Sequence, residues 1–131
     1  MGDQYEVVVG AGSFRVADEQ AVHFPHRWTS EGVSVDASFT GAHLLHLAVA
    51  GCVLNDTYRE ARALGVAIDG VRVAASGGFD EGTWASTGIS YSLDVDSPAA
   101  AEEIDRLLEV VDAVAEIPLA VRTGATVQRA T

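Results

Sequence analysis

The sequence contains no lysine and only one cysteine, Cys52, among its 131 residues. One cysteine cannot form a disulfide within the chain, so no intramolecular cross-link stabilises the fold. No apolar run approaches the roughly 20 residues of a membrane-spanning helix. The first residues, 1–6, are acidic, whereas a secretory signal has basic residues before its apolar stretch. We therefore expect a cytoplasmic protein in a reducing compartment, with no membrane segment.

Positive charge is scarce in this chain. All eight basic residues are arginines, and they are outnumbered by 19 Asp and Glu residues, which gives a formal net charge of -11. Such a charge repels phosphate backbones and acidic membranes, so neither nucleic acid nor a membrane surface is an expected partner. The length suits one compact domain over residues 1–131.

Six segments have the β-branched composition or the alternation that is typical of strands: 5–9, 14–16, 33–39, 66–79, 83–95 and 120–127. Gly10-Ala11-Gly12 is predicted to turn the first segment into the second as an N-terminal hairpin. Asp80-Glu81-Gly82 is predicted to join the fourth and fifth segments as a long antiparallel hairpin.

Two segments have a helical period. The first runs from Gly41 to Leu64, with Thr40 as the predicted N-cap and Gly65 as the C-terminal stop. Its first half is apolar nearly all round, so it needs cover on every side, and a second copy of the chain is the expected cover.

The second predicted helix begins after Ser97-Pro98 and is stopped by Pro118. The order is therefore three strands, a helix, two strands, a helix and a strand. This order predicts an α+β fold with a mostly antiparallel sheet and two helices.

Cys52 lies where the first helix changes from apolar to polar. Residues three, four and seven positions away share its face: Leu45, Val49, Asn55, Asp56 and Arg59. This pattern is typical of a pocket floor, with apolar walls on one side and hydrogen-bonding groups on the other. A buried cysteine that serves only as a small hydrophobic residue is the structural alternative.

A reactive cysteine needs its thiol pKa lowered, since the thiolate is the nucleophile. Cys52 is three turns inside its helix, and a carboxylate at Asp56 would raise the thiol pKa. An arginine from elsewhere must offset both effects, and the candidates are Arg15, Arg27 and Arg122.

The segment from Phe39 to Cys52, with Asn55-Asp56-Thr57-Tyr58-Arg59-Glu60-Ala61 after it, resembles the central cysteine helix of the OsmC/Ohr family. The likeness continues at residues 89–91 and 114–117 and at Arg122 and Gly124, and it covers most of residues 33–127. The resemblance implies an intertwined homodimer with the active site between the chains. In the family's peroxidases, the helix cysteine attacks a hydroperoxide and becomes a sulfenic acid. A second cysteine, just before a proline, then closes a disulfide, while an arginine and a glutamate position the substrate.

Only part of that catalytic set is found in this sequence. Cys52 matches the attacking cysteine, but the residue before Pro118 is Ile117, so the resolving thiol is absent. The family's glutamate position falls at Ala42 or His43, and neither is a carboxylate.

The family's arginine is matched weakly by Arg15, with Arg27 as its rival. A disulfide cycle within one subunit is excluded by counting, because the chain has one cysteine.

Three functions remain open at this stage. The first is a single reactive thiol, Cys52, acting on hydroperoxides and restored by an external thiol. The second is a pocket that binds or transforms a small molecule without redox chemistry. Its polar anchors would be His43, Asn55 and Asp56, and its apolar contacts would come from Val49 and Ile117. The third is a structural protein with an inert cysteine.

The four histidines form two His-x-x-His pairs, His23/His26 and His43/His46. Histidines three residues apart on a helix can share a metal ion, but His43 is at the helix start and His46 points away from Cys52. We therefore expect no metal and no cofactor.

Overall fold

The computed structural model describes residues 4–130. The acidic start predicted from residues 1–6 lies in part outside this range. The described elements are β1 Val7–Gly12, β2 Val22–Phe24, β3 Val33–Asp36, α1 Gly41–Leu64, β4 Gly70–Phe79, β5 Ser86–Asp96, α2 Ala101–Val114 and α3 Glu116–Thr123. The strands form one sheet in the order β2-β3-β1-β4-β5, and every neighbouring pair is antiparallel. The predicted α+β class is confirmed. None of the helices in this range is long and apolar enough to cross a bilayer.

The long helix α1 has the bounds predicted from the sequence. Thr40 has an extended backbone, and its hydroxyl oxygen accepts a hydrogen bond from the His43 amide at 3.1 Å. Gly65 ends the helix in the left-handed conformation, with φ of 71°, which favours glycine. Local capping chemistry therefore sets both ends of the helix.

The core lies between one face of the sheet and the helices α1 and α2. Alternate residues of β1 and β4 point toward α1, whose second half contributes small and branched side chains. The most deeply buried members are Val7, Val9, Ala11, Ala50, Val53, Leu54, Ala61, Val71, Val73, Ala75, Leu107, Val111 and Ala115. This packing fixes the middle of α1, and Cys52 with it, against the sheet.

The predicted N-terminal hairpin is wrong. Residues 7–12 form one continuous strand that pairs with β3 and β4, and residues 14–16 are not a strand. Gly10 lies inside β1, whereas Gly12, with φ of 61°, takes part in a turn over residues 11–15 that leads into a loop and not into a second strand. Both glycines let the backbone of Phe14 or of Asp69 approach closely, where a Cβ atom would clash.

The strand that the sequence did not predict is β2, Val22–Phe24, which pairs with β3 at the edge of the sheet. Its three residues are too few for a period of two to be recognised.

The predicted final strand at 120–127 is also wrong, because the chain forms the helix α3 there. Ala115 breaks the helical path with ψ of 120°, and a new helix starts at Glu116. Pro118 falls in the first turn of α3. The amides of a first turn have no partner within their helix, so a proline fits there and does not act as a stop. The chain therefore has a third described helix in place of the sixth predicted strand.

The start of α2 is later than predicted. Its N-cap is Ala100, whose side chain makes no capping hydrogen bond. Ser97 instead accepts a hydrogen bond from the Ala99 amide, within the turn that leads from β5 to the helix.

Candidate functional site

The Cys52 side chain lies at the wall of an apolar cavity between α1, the start of α3 and the β2–β3 edge of the sheet. The cavity has a volume of about 410 Å³, and its apolar walls include Phe24, Val33, Val35, Leu47, Leu54 and Ile117. Its polar lining side chains are those of His26, Cys52 and Asn55. The predicted change from apolar to polar surroundings at Cys52 is therefore present within one chain.

Three groups contact the Cys52 sulfur on its polar side. The Ile117 amide donates to Sγ at 3.4 Å. The carboxylate oxygens Oε2 of Glu116 and Oδ2 of Asp56 lie 3.5 Å and 3.6 Å from it. Asp56 is one turn further along α1, while Glu116 and Ile117 open α3, so the contact between the two helices builds the site.

Arg59 ties this site together. Its guanidinium binds Glu116 Oε1 at 2.8 Å, Asp56 Oδ2 at 3.2 Å and Glu60 Oε2 at 2.9 Å. Asp56 is buried, whereas the Glu116 side chain is 59% exposed. One arginine thus connects α1 to α3 directly beside the thiol.

The surroundings of Cys52 favour the protonated thiol. Burial, together with the nearby carboxyl groups of Asp56 and Glu116, raises the pKa of Cys52 to about 11 against the lowering effect of the Ile117 amide. Within one subunit, therefore, few Cys52 residues are thiolates at neutral pH.

The two carboxyl groups beside the sulfur interact with each other. Burial, followed by a hydrogen bond to Glu116, raises the pKa of Asp56, while the same hydrogen bond and that of Arg59 lower the pKa of Glu116. The two shifts have opposite signs, so of the two carboxyl groups Asp56 is the more readily protonated and Glu116 the more readily ionised.

The donor atoms of Cys52, Asp56 and Glu116 lie within 4.8 Å of one another, a spacing that a metal ion can bridge. The guanidinium of Arg59 is already bound to both carboxyl groups as their cation. The histidine pairs of the sequence bind other groups: His43 contacts Thr40, and His46 contacts the Ala42 carbonyl.

His26 and Asn55 form the polar end of the cavity. His26 Nε2 lies 3.2 Å from Asn55 Oδ1, and Nδ1 lies 2.8 Å from the Thr29 hydroxyl. The Asn55 amide nitrogen donates to Asp56 Oδ1 at 3.2 Å. Burial lowers the pKa of His26, so the imidazole is neutral and the cavity has no cationic side chain in its lining.

The three arginines predicted as candidates contact other parts of the chain. Arg15 donates to the Glu31 carbonyl at 2.9 Å, Arg27 lies over the Trp28 ring, and Arg122 lies 3.7 Å from Asp112. The arginine at the Cys52 site is Arg59. It lies on the face predicted for Cys52 but is not among those three.

Two predicted substrate-binding residues lie away from the cavity. His43 binds Thr40 and packs edge-on against Tyr5, nine residues or about 13 Å along the helix from Cys52. Val49 is buried and lines a different cavity, of about 270 Å³, beside Tyr91 and Arg122.

The other three predicted residues, Asn55, Asp56 and Ile117, do meet at Cys52. The sequence did not assign Glu116 or His26 to this site. Glu116 directly precedes Ile117, which the resemblance placed near the cysteine, so this neighbourhood in the sequence could have indicated Glu116. Nothing in the sequence indicates that the loop residue His26 contacts α1.

The fold and the site define an α+β protein with one thiol placed between an apolar cavity and an arginine–carboxylate cluster. The sequence model of the OsmC-like protein family matches residues 34–129. The chain therefore belongs to the OsmC-like family, as the resemblance implied.

Solved structures agree with this assignment. An OsmC-like hydroperoxide resistance protein from Jannaschia sp. CCS1 has a TM-score of 0.59 and 14% identity, over 95% of this chain and 92% of that chain. An OsmC-like protein from Mycoplasma pneumoniae has a TM-score of 0.60 and 15% identity, over 93% of this chain and 89% of that chain. At these identities the likeness shows the fold. No curated protein matches the sequence.

Proposed function

We propose that this protein reduces hydroperoxides of apolar compounds, with Cys52 as its single reactive thiol. One observation carries the proposal: the Cys52 sulfur faces an apolar cavity on one side and an Arg59–Glu116 ion pair on the other. The sulfur attacks one peroxide oxygen, the O–O bond breaks, and the products are a cysteine sulfenic acid and an alcohol, which takes up the thiol proton. Two equivalents of an external thiol then restore Cys52 and release a disulfide and water.

The cavity supports an organic substrate. A volume of about 410 Å³ is in the usual range for small-molecule sites, and apolar walls favour an alkyl or aryl group over a small polar peroxide. The structural neighbour from Jannaschia is described as a hydroperoxide resistance protein, and this supports the same chemistry here.

The need for an external thiol follows from the position before Pro118. The Ile117 backbone touches the Cys52 sulfur, so a cysteine in this position would be a neighbour of Cys52, and this chain has isoleucine there. A compartment rich in reduced thiols, such as the cytoplasm, suits the proposal because turnover depends on such a reductant.

We also propose that the working form is an intertwined homodimer. The outward face of α1, which includes Leu44 and Ala48, is exposed to solvent within the described residues 4–130. This face is continuous with the Cys52 cavity, since Ala48 belongs to both. A second copy seated there closes the cavity and excludes water from it.

The raised thiol pKa favours a second candidate function. A thiol with a pKa of about 11 is a weak nucleophile at neutral pH, and such a site suits a protein that binds an apolar ligand without redox chemistry. In that case His26 and Asn55 hold the polar end of the ligand.

Peroxide consumption distinguishes the two functions. Wild-type protein and Cys52→Ser are mixed with cumene hydroperoxide and dithiothreitol at pH 7 and pH 9, and the remaining peroxide is measured over time. We expect loss of peroxide in the wild type alone, and faster loss at pH 9. Equal traces for the two proteins at both pH values would reject the peroxidase and leave the ligand-binding function.

A further inference from the structure

The Glu116 carboxylate occupies the space between the Arg59 guanidinium and the Cys52 sulfur. Its Oε1 lies 2.8 Å from Arg59 Nη1, and its Oε2 lies 3.5 Å from Sγ. A carboxylate therefore presents one oxygen to the cation and the other to the thiol.

A hydroperoxide in a reactive position needs the same two contacts. One of its oxygens must come within about 3–3.5 Å of the sulfur. The other becomes the leaving alkoxide, and a fixed guanidinium next to it stabilises the developing charge. Glu116 thus places its two oxygens where the two oxygens of a substrate have to lie.

We infer that Glu116 is an internal occupant of the peroxide-binding position, and that the reactive site forms when Glu116 withdraws and leaves Arg59 to the substrate. This inference rests on the proposed function for the identity of the substrate. It assigns the cation of the site to Arg59, and it assigns an inhibitory role to Glu116.

Several features of the chain make withdrawal of Glu116 feasible. Glu116 is the first residue of α3, an eight-residue helix that follows the non-helical Ala115. Its side chain is 59% exposed, so the carboxylate moves into water with little further loss of burial. The remaining charged or titratable side chains on the polar side of the sulfur are on α1: Asp56, Arg59 and, through Arg59, Glu60. The Ile117 amide of α3 also stays in contact with the sulfur on this side. On the cavity side, the polar neighbours are the neutral His26 and Asn55.

The inference is tested with Glu116→Ala and with benzoate as a probe. Two quantities are measured: the thiol pKa, from the thiolate absorbance during a pH titration, and the rate of reaction with cumene hydroperoxide. We expect the thiol pKa of Glu116→Ala to fall below that of the wild type, because a carboxylate leaves the sulfur, so that the rate at pH 7 rises about threefold. Benzoate has a ring for the cavity and a carboxylate for Arg59. We expect it to reverse that gain in Glu116→Ala and to have little effect on the wild type.

Two further variants separate occupancy from other effects. Glu60→Ala also removes a carboxylate from Arg59 but none from the sulfur, so its thiol pKa should stay close to that of the wild type. Glu116→Gln keeps an oxygen for Arg59 and keeps the position filled. It should lower the thiol pKa without becoming sensitive to benzoate, and it covers the case in which Glu116→Ala fails to fold.

Three results would overturn the inference. The first is a thiol pKa in the Glu116 variants that is unchanged or higher, and the second is a shift in Glu60→Ala as large as that in Glu116→Ala. The third is a benzoate effect on Glu116→Ala no greater than that on the wild type. If the wild type consumes peroxide in a Cys52-dependent way and Glu116→Ala consumes it more slowly than the wild type, the inference is rejected and the proposed function is kept. If the thiol pKa of Glu116→Ala is lower and benzoate reverses this change, but no variant consumes peroxide, Glu116 is still an occupant of the position beside Arg59. The peroxidase function is then rejected.

Discussion

At the scale of single residues, the protonation state of Cys52 governs the chemistry of the site. Its ordinary thiol pKa is raised to about 11, first by burial and then by two carboxyl groups. The Ile117 amide works in the opposite direction but does not offset them. The Cys52 thiol is therefore less ionised than that of free cysteine at every pH below 11.

We expect the rate of Cys52 alkylation by iodoacetamide to rise about tenfold per pH unit from pH 7 to pH 10, because the thiolate fraction rises by that factor below the pKa. Glutathione, with an ordinary thiol pKa, serves as the reference and should level off at lower pH. The rate is followed by mass spectrometry of the adduct. A plateau below pH 9 would contradict the raised pKa.

Ile117→Cys is expected to form a disulfide with Cys52. The amide nitrogen of residue 117 lies 3.4 Å from Sγ, so a cysteine side chain there starts within reach of the sulfur. After treatment with one equivalent of hydroperoxide, the intact mass should fall by two hydrogens, and no free thiol should remain.

The matched control is Leu119→Cys, two residues further along α3, which has no contact with Cys52 among the described hydrogen bonds and cavity walls. It should keep its free thiol or form disulfides between chains. The same behaviour in Ile117→Cys would mean that the start of α3 does not stay at Cys52 in solution.

At the scale of elements, capping chemistry explains why α1 was predictable and α3 was not. The helix α1 has Thr40, a long helical period and Gly65 in its sequence, and each of these signals is local. The helix α3 has eight residues and no side-chain cap, and its proline suggests a stop unless the start of the helix is already known. Contacts with α1, through Glu116 and Ile117, hold it in place.

We expect Thr40→Ala to lower the free energy of unfolding by about 1 kcal/mol, because the His43 amide loses its acceptor. Urea denaturation followed by circular dichroism measures the change. Thr40→Ser keeps a hydroxyl in the same place and should stay close to the wild type. A cost as large in Thr40→Ser as in Thr40→Ala would show that the methyl group of Thr40, and not its oxygen, is what stabilises the helix start.

At the scale of the whole molecule, the single chain has more surface than a compact monomer of its size. Its accessible surface is 8194 Å², against about 6,600 Å² for a compact 13.7 kDa protein. Large apolar side chains contribute to it: Phe39 is 90% exposed and Phe24 is 53% exposed. The difference exceeds the roughly 800 Å² that each partner buries in a standard interface.

We expect light scattering to give twice the 13.7 kDa mass of one chain. Ala48→Glu puts a charge on the uncovered face of α1, so it should shift the protein toward monomers while leaving the helix content unchanged. Ala63→Glu is the control, because it makes the same substitution at an exposed position in the last turn of the same helix. A wild-type monomer, or equal effects of the two substitutions, would remove the dimer from the proposal.

The amino-acid sequence alone predicts α1 from cap to cap, the β4–β5 hairpin, the α+β class and the family, because these depend on local periodicity, on end signals and on a contiguous motif around Cys52. It also predicted that the sulfur lies where apolar surroundings meet polar ones, since residues of one helix face are fixed by their spacing. Which groups contact that sulfur from outside α1 depends on how the elements pack. Glu116 and Ile117 lie 64 and 65 positions after Cys52 in the chain, and His26 lies in a loop. Such contacts come from the packing of α3 and the sheet edge against α1, and no spacing along the sequence encodes them.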